Sequence, residues 1–447
     1  MKRRLPTPLT VSLTAALLAA PTAAFAQRAA APIQPAAQEP GARPAPVTGP
    51  AADSLRVFLL TFGPGAEVWE RFGHNAIWIH DPVAGTDIAY HWGLFDMSEQ
   101  GFMLEFLQGR MVYSMGSVGT DRLMDAYRRA GRDATVQELA LTVAEAESLQ
   151  QFVQWNVRPE NRRYRYDYFR DNCSTRVRDA LDDALGGALR ATLADRPAGH
   201  TYRSQAVALT AEDVLLTSGM DLGLGPLADQ PITRWELAFI PMRLRDDLRT
   251  LTVRRGGRAV PMVVDERELD ALGPEDPSRA GPPSPARRTL GHLLAGLLAA
   301  GAVVGLARLA RRGSGTGRAA GWALAAVGGL WGLVAGALGT IVFALWAFTD
   351  HEFAWRNENL LQVNPLALGL AVLAPVALGA GKAVGVARKL ALTLLGLSLL
   401  GLLVHPLPVT PQANLAIIVA ALPIHAAMAY ALVSSSPSSS SGIAHSS

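Results

Sequence analysis

Five apolar segments, at about 290–307, 320–348, 366–381, 390–404 and 413–433, contain no Asp, Glu, Lys or Arg, with Lys382 just past the edge of the third. No other feature limits the fold of this chain as sharply. A charge at the centre of a bilayer costs roughly 2.5–3.5 kcal/mol on insertion scales, and about 20 apolar residues cross the hydrocarbon as a helix. The segments therefore predict about five transmembrane helices within a membrane domain at 289–433. The second is long enough to require tilt, and the fourth is short.

The N-terminus fixes which way these helices run. Met1-Lys2-Arg3-Arg4 precedes the apolar run Leu9 to Ala20, and Ala24-Phe25-Ala26 stands before Gln27, the layout of a secretory signal at 1–26. An exported mature chain sends the first span inward. The loop after it carries Arg308, Arg311, Arg312 and Arg318, and the next inward loop carries Lys382, Arg388 and Lys389. The outward loops hold only Arg356, so the positive-inside rule gives the same topology and a cytoplasmic C-terminus. Residues 27–52 are Ala- and Pro-rich with no apolar period and read as a tether. Residues 265–288 read as a charged, Pro-rich linker, and 434–447 as a disordered Ser-rich tail. The formal net charge of +3 reflects topogenic loops and scattered arginine, with no basic stripe for nucleic acid.

Between tether and linker, 53–264 has the composition of a soluble domain with strand-like and helix-like runs in mixed order. Leu55 to Leu60, Asn75 to His80, Asp87 to Trp92 and Met111 to Met115 read as strands, the second and third joined at Asp81-Pro82-Val83-Ala84-Gly85-Thr86. That hairpin brings His74 and His91 to one end of a sheet. Thr142 with Glu145 and Thr233 with Glu236 have capping-box spacing, and Leu251 to Val260 resembles a hairpin turning at Gly256-Gly257. Phe102, Met103, Leu104, Phe106 and Leu107 read mainly as core, with the bilayer surface as the alternative.

Cys173 is the only cysteine, so no disulfide within the chain can stabilise this exported domain. Val177, Leu181, Ala184 and Leu185 follow it at helical spacing, and Asp171, Asn172, Ser174 and Thr175 supply capping side chains. A sulfur at a helix start with Arg176 one turn on is expected to have a lowered pKa. Thiol catalysis also needs a base and a group that orients it, and His74 and His91 can supply both. His80 is a second candidate for either role, but beside Asp81-Pro82 it reads more readily as a surface residue. His74, His80, His91 and Asp87 could in principle ligate a metal, but no His-Glu-x-x-His or paired-cysteine spacing is present, and neither metal nor cofactor is expected.

Phe72-Gly73-His74-Asn75-Ala76-Ile77, Tyr90-His91-Trp92-Gly93, the stretch Tyr164 to Asp179 around Asn172-Cys173, and the outward loop with Asn357-Glu358-Asn359-Leu360-Leu361 and Asn364-Pro365-Leu366 together resemble the Lnb-type lipoprotein intramolecular transacylases. The exported part also resembles permuted NlpC/P60-like and lecithin:retinol acyltransferase-like thiol enzymes. The resemblance implies an α+β papain-like periplasmic domain followed by the helical membrane domain, in a bacterial inner membrane. It implies Cys173 as nucleophile, His74 as base and His91 as orienting group, although asparagine is more usual where His91 stands. It further implies acyl transfer from a lipid ester to an amine through a Cys173 thioester, with a diacylglyceryl lipoprotein or phospholipid as substrate. Asn172, Arg176, His351, Asn357, Asn359 and Asn364 are expected at the substrate, the loop from His351 either lining its headgroup or docking the exported domain. Two rivals stay open: a membrane-tethered cysteine hydrolase or amidase of the envelope, and a non-enzymatic envelope assembly module.

Overall fold

The computed structural model describes residues 54–269, 284–312, 315–405, 407 and 412–434. The signal, the tether and the serine-rich tail beyond Ser434 lie outside the described residues. A seven-stranded antiparallel sheet organises the first domain, in the order β11-β5-β1-β2-β3-β4-β6. Its strands are β1 (Arg56–Phe62), β2 (His74–Asp81), β3 (Thr86–Leu94), β4 (Val112–Gly119), β5 (Ala134–Leu139), β6 (Arg163–Arg165) and β11 (Val263–Leu269). Two ribbons flank it, β7 (Pro197–Thr201) with β8 (Pro231–Thr233) and β9 (Thr252–Arg255) with β10 (Arg258–Pro261). In the second, Gly256 and Gly257 both have positive φ, as a two-residue hairpin turn requires.

β1 is apolar on both faces because both are covered. Val57 and Leu59 join Ile77, Ile79, Tyr90 and Trp92 beneath helices α3 (Val143–Asn156) and α4 (Cys173–Ala184). Phe58, Leu60 and Phe62 join Ala76 and Ala89 on the opposite face, against Leu123 of α2 (Thr120–Arg129). The Thr142–Glu145 and Thr233–Glu236 capping boxes both form. Two expectations need correction. Residues 265–269, expected in the linker, are strand, because Asp265 to Leu269 pair with β5 from Glu138 to Ala134. Of the five apolar residues expected mainly as core, only Phe102 is buried in α1 (Phe102–Gln108), while Met103, Leu104, Phe106 and Leu107 are exposed.

The second domain is a helical bundle built from α8 (Pro285–Ala310), α9 (Gly315–Phe348), α10 (Leu368–Ala374), α11 (Val384–Val404) and α12 (Leu415–Val433). Four of these are long and apolar enough to cross a membrane. The third expected span, 366–381, is not one straight helix: α10 gives way at Pro375 to a π turn, Pro375–Gly379. With the turns before it, this segment makes a pair bent by 49° that brings the number of spans up to five. It follows α9 closely, because a Cβ at Gly339, Gly336, Gly332 or Gly329 would meet Asn364, Leu368, Ala371 or Pro375 at 2.4–2.9 Å. Glycines at this spacing let two backbones approach. From Gly339 to Trp322, which faces Gly379, α9 rises about 25 Å, close to the roughly 30 Å of bilayer hydrocarbon. The fourth span is longer than expected, and Arg388 and Lys389 sit inside the first turns of α11, not in a loop.

The two domains meet along the loop from Thr349 to Asn364. The last carbonyls of a helix have no intrahelical donor. In α6 (Val214–Gly223) they are capped from the membrane side. Asn357 Nδ2 donates to the carbonyls of Leu222 (2.8 Å) and Gly223 (3.0 Å), and Asn359 Nδ2 to those of Asp221 and Leu222 (both 3.0 Å). Gln412, entering α12, donates to the Leu224 carbonyl at 3.1 Å. At the other end of this contact the Asp350 N–H donates to the Gln108 carbonyl at 2.8 Å.

Candidate active site

Asn172 is the N-cap of α4, and its side chain accounts for the shape of the helix start. Oδ1 accepts from the Ser174 and Thr175 N–H groups at 2.9 and 3.0 Å, and the Thr175 hydroxyl accepts from the Asn172 N–H at 2.7 Å, closing a capping box. Nδ2 donates to the carbonyls of Tyr168 (3.0 Å) and Phe239 (2.9 Å), and the Ser174 hydroxyl to that of Ala238 (2.7 Å). Cys173 follows as the first helical residue, half-buried, on a mount that cannot rotate without breaking these bonds.

The sheet opens where α4 arrives. The β2–β3 ladder ends at the Ala76–His91 pair, and the β3–β4 register shifts between His91 and Leu94. Gly93 lies in this opening with φ +90°, and a Cβ there would come within 3.3 Å of the Cys173 Cβ. On the other strand Gly73, φ +81°, turns the chain into His74, where any side chain would strike Met242 and the Phe62 carbonyl. His74 Nε2 and His91 Nδ1 are 3.0 Å apart, with the rings perpendicular. The His74 ring lies parallel to those of Phe62 and Tyr127, with centroids 6.4 and 6.0 Å away. The sulfur sits against the backbone N–H of Asn75, the residue next to His74.

Electrostatically the site is in its neutral form. Burial pushes the Cys173 thiol up to about 11, more than the Asn75 N–H, the Arg132 charge and the N–H groups of Ser174 and Cys173 pull it down. The expected lowering at a helix start is thus present but outweighed. Burial also holds His74 well below the usual imidazole value, helped by His91 and Arg132, and holds His91 down to about 4. With His74 and the thiol both held neutral, the two are not a preformed thiolate–imidazolium pair, and a neutral imidazole is the form that can accept a proton.

Sequence reasoning missed Arg132 and Tyr127. The Arg132 guanidinium is buried, stacks 4.7 Å over the Tyr127 ring that faces His74, and donates from Nε to the Gly63 carbonyl at 2.9 Å. In sequence it reads as one more surface arginine after Arg128 and Arg129, and only the close packing of β5 against β1 brings it inward. The remaining expected site residues are placed elsewhere. Arg176 grips Asp171 and lies 4.3 Å over the Tyr164 ring. His351 bonds through Nε2 to the Phe106 carbonyl (3.0 Å) and stacks on Tyr168. Asn357 and Asn359 dock the domains as described above, and Asn364 caps the turn Pro365–Ala367. His80 pairs with Asp87 at 2.9 Å, six residues and roughly 20 Å along β2 from His74.

A helix-borne cysteine and a histidine pair at the same opening of the sheet, in a domain seated on a bundle of apolar helices, make a membrane-associated protein with a candidate thiol–imidazole site. Residues 50–206 match the family model of the Lnb N-terminal periplasmic domain, and residues 322–436 match that of the Lnb transmembrane domain. The chain belongs to the Lnb family, and is a membrane protein with a periplasmic domain whose family points to lipoprotein processing. No curated protein and no solved structure matches the chain.

Proposed function

We propose that this protein is a cysteine-dependent acyltransferase that acylates the N-terminus of a lipoprotein. His74 takes the Cys173 proton as the sulfur attacks the acyl ester, and the developing oxyanion is received by N–H groups around the start of α4. Collapse breaks the ester C–O bond, and the proton on His74 passes to the leaving alkoxide, leaving a thioester. The amine then attacks the thioester, the C–S bond breaks, and the ammonium proton returns through His74 to the thiolate. The donor is the sn-2 acyl group of a diacylglyceryl lipoprotein and the acceptor the α-amino group of the same molecule, so that one bound substrate supplies both reactants at high effective concentration. The acyl chain never needs to leave the bilayer, which would cost roughly 0.8 kcal/mol per CH₂. In this reading the protein sits in the inner membrane of a bacterium with its C-terminus in the cytoplasm.

The observation that carries this reading is the His74–His91 pair at 3.0 Å beside the opening that receives Cys173. Mass spectrometry of lipopeptide N-termini from cells carrying wild type, Cys173→Ala or His74→Gln tests it. Wild type is expected to give the N-acylated, lyso form and both variants to lose it. Unchanged acylation in Cys173→Ala removes the transferase reading, and loss of muropeptide cleavage in its place supports a hydrolase.

A further inference from the structure

α1 presents an apolar face that nothing among the described residues covers. Its seven residues turn Phe102 inward, while Met103, Leu104 and Leu107 lie on one outward face at 56, 59 and 61 % exposure. An isolated exposed leucine is ordinary, but three large apolar side chains on two turns form a patch that marks an interaction surface.

The position of α1 identifies what meets that face. Its last turn is fastened to the extramembrane end of α9: the Asp350 N–H donates to the Gln108 carbonyl, His351 bonds to the Phe106 carbonyl, and Arg110 and Arg165 both pair with Asp350 at 3.0 and 2.9 Å. Asp350 is two residues past Phe348, where α9 ends, and Phe348 and Trp346 are themselves exposed on that helix. α1 therefore lies level with the rim of the bundle, where apolar side chains reach hydrocarbon and arginines reach headgroups. We propose that Met103, Leu104 and Leu107 insert into the lipid leaflet on the side of the periplasmic domain.

This contact also ties the inserted helix to the part of the domain that carries the thiol. Behind α1 the rings follow one another, Phe102 to Phe95 at 5.7 Å, Phe95 to Tyr113 at 4.9 Å and Tyr113 to Tyr166 at 4.1 Å. Tyr166 stands seven residues before Cys173, in the segment that ends at the start of α4. This buried cluster holds α1 rigidly to the segment that leads to Cys173, so that the inserted helix sets the height of the sulfur above the leaflet and guides the acyl ester toward it. The guiding role rests on the acyl-transfer reading above, whereas the insertion of α1 does not.

The test uses the full-length chain as Cys173→Ala with one new cysteine, Leu104→Cys or, as control, Ser148→Cys on α3. Each variant is labelled with an environment-sensitive fluorophore and reconstituted at one copy per nanodisc of phosphatidylethanolamine and phosphatidylglycerol. A nitroxide on the lipid acyl chain is expected to quench the Leu104 label several-fold more than the Ser148 label, and aqueous iodide to do the reverse. Equal iodide quenching at both positions overturns the insertion. Shielding that appears only when two copies share a disc also overturns it, in favour of a second copy as occupant. For the guiding role, Leu104→Glu/Leu107→Glu is expected to keep wild-type alkylation of Cys173 by iodoacetamide while acylation of a membrane-embedded lipopeptide falls at least tenfold. Undiminished acylation removes that role. If the wild type acylates no lipopeptide while lipid quenching persists, the acyl-transfer reading fails and the insertion stands.

Discussion

A thiol held at about 11 and a histidine held well below its ordinary value set how Cys173 behaves in the resting protein. At pH 7 about one thiolate in ten thousand is then present, so in the proposed reaction the thiolate forms only as His74 removes its proton. Alkylation by iodoacetamide is expected to rise about tenfold per pH unit from 7 to 10, since the raised pKa favours the neutral form throughout that range. A rate already level at pH 7 would show a preformed thiolate and contradict this geometry. The histidine pair makes a second demand. For His74 to accept a proton at Nδ1, its Nε2 must carry hydrogen and donate to His91 Nδ1, 3.0 Å away. The job of His91 is then to accept one hydrogen bond, which the carbonyl of an asparagine also does. His91→Asn is expected to retain acylation within about tenfold, while His91→Ala loses about a hundredfold or more, measured as initial rates on one lipopeptide. Equal losses in both would mean that the imidazole itself is required.

At the scale of single elements, the start of α4 does the positioning. Asn172 was expected to touch substrate, yet its amide is committed to two helix N–H groups and two carbonyls from neighbouring segments. Asn172→Ala should remove about 1–3 kcal/mol of stability by deleting a cap and leaving buried carbonyls without donors, read as a lowered thermal midpoint. An unchanged midpoint with a raised KM would return Asn172 to the substrate. Much of this element was legible in the sequence, because a cap, a capping box and a helical apolar stripe are local signals, as are the β2–β3 turn and the Gly256-Gly257 hairpin. What was not legible was tertiary. Burial decides the sign of the thiol shift, packing of β5 on β1 makes Arg132 internal, and β11 joins the sheet across a sequence separation of more than 100 residues. The third span departs from a straight helix for a similar reason. Hydropathy registers Leu366 to Gly381 as a helix, but the π turn at Pro375 and the glycine face of α9 become visible only when the two segments are laid together.

For the whole molecule, the proposed acyl transfer raises the question of how a domain in water addresses an ester in lipid. The bundle holds it at a fixed height, by side-chain amides that serve as the missing cap of α6 and by arginines gripping Asp350 and Glu352. This places the loop from Thr349 to Asn364 as a dock, one of the two roles expected for it, and it sets the distance between thiol and leaflet. The first and last helices of the bundle, α8 and α12, end on the same far side, where Arg311 just past α8 lies 5.1 Å over Tyr430 of α12, while Gln412 just before α12 touches the periplasmic domain. A rigid dock is worth having only if height matters to the reaction. Asn357→Ala/Asn359→Ala leaves the α6 carbonyls unpaired, at about 1–3 kcal/mol for each lost donor, while leaving Cys173, His74 and His91 untouched. The double variant is therefore expected to keep wild-type alkylation of Cys173 but to lose at least tenfold in acylation of a membrane-embedded lipopeptide, with faster proteolysis between the domains. Retained acylation in a variant that proteolysis shows to be undocked would mean that the domain finds the bilayer by itself, leaving the insertion of α1 as its main hold on the lipid.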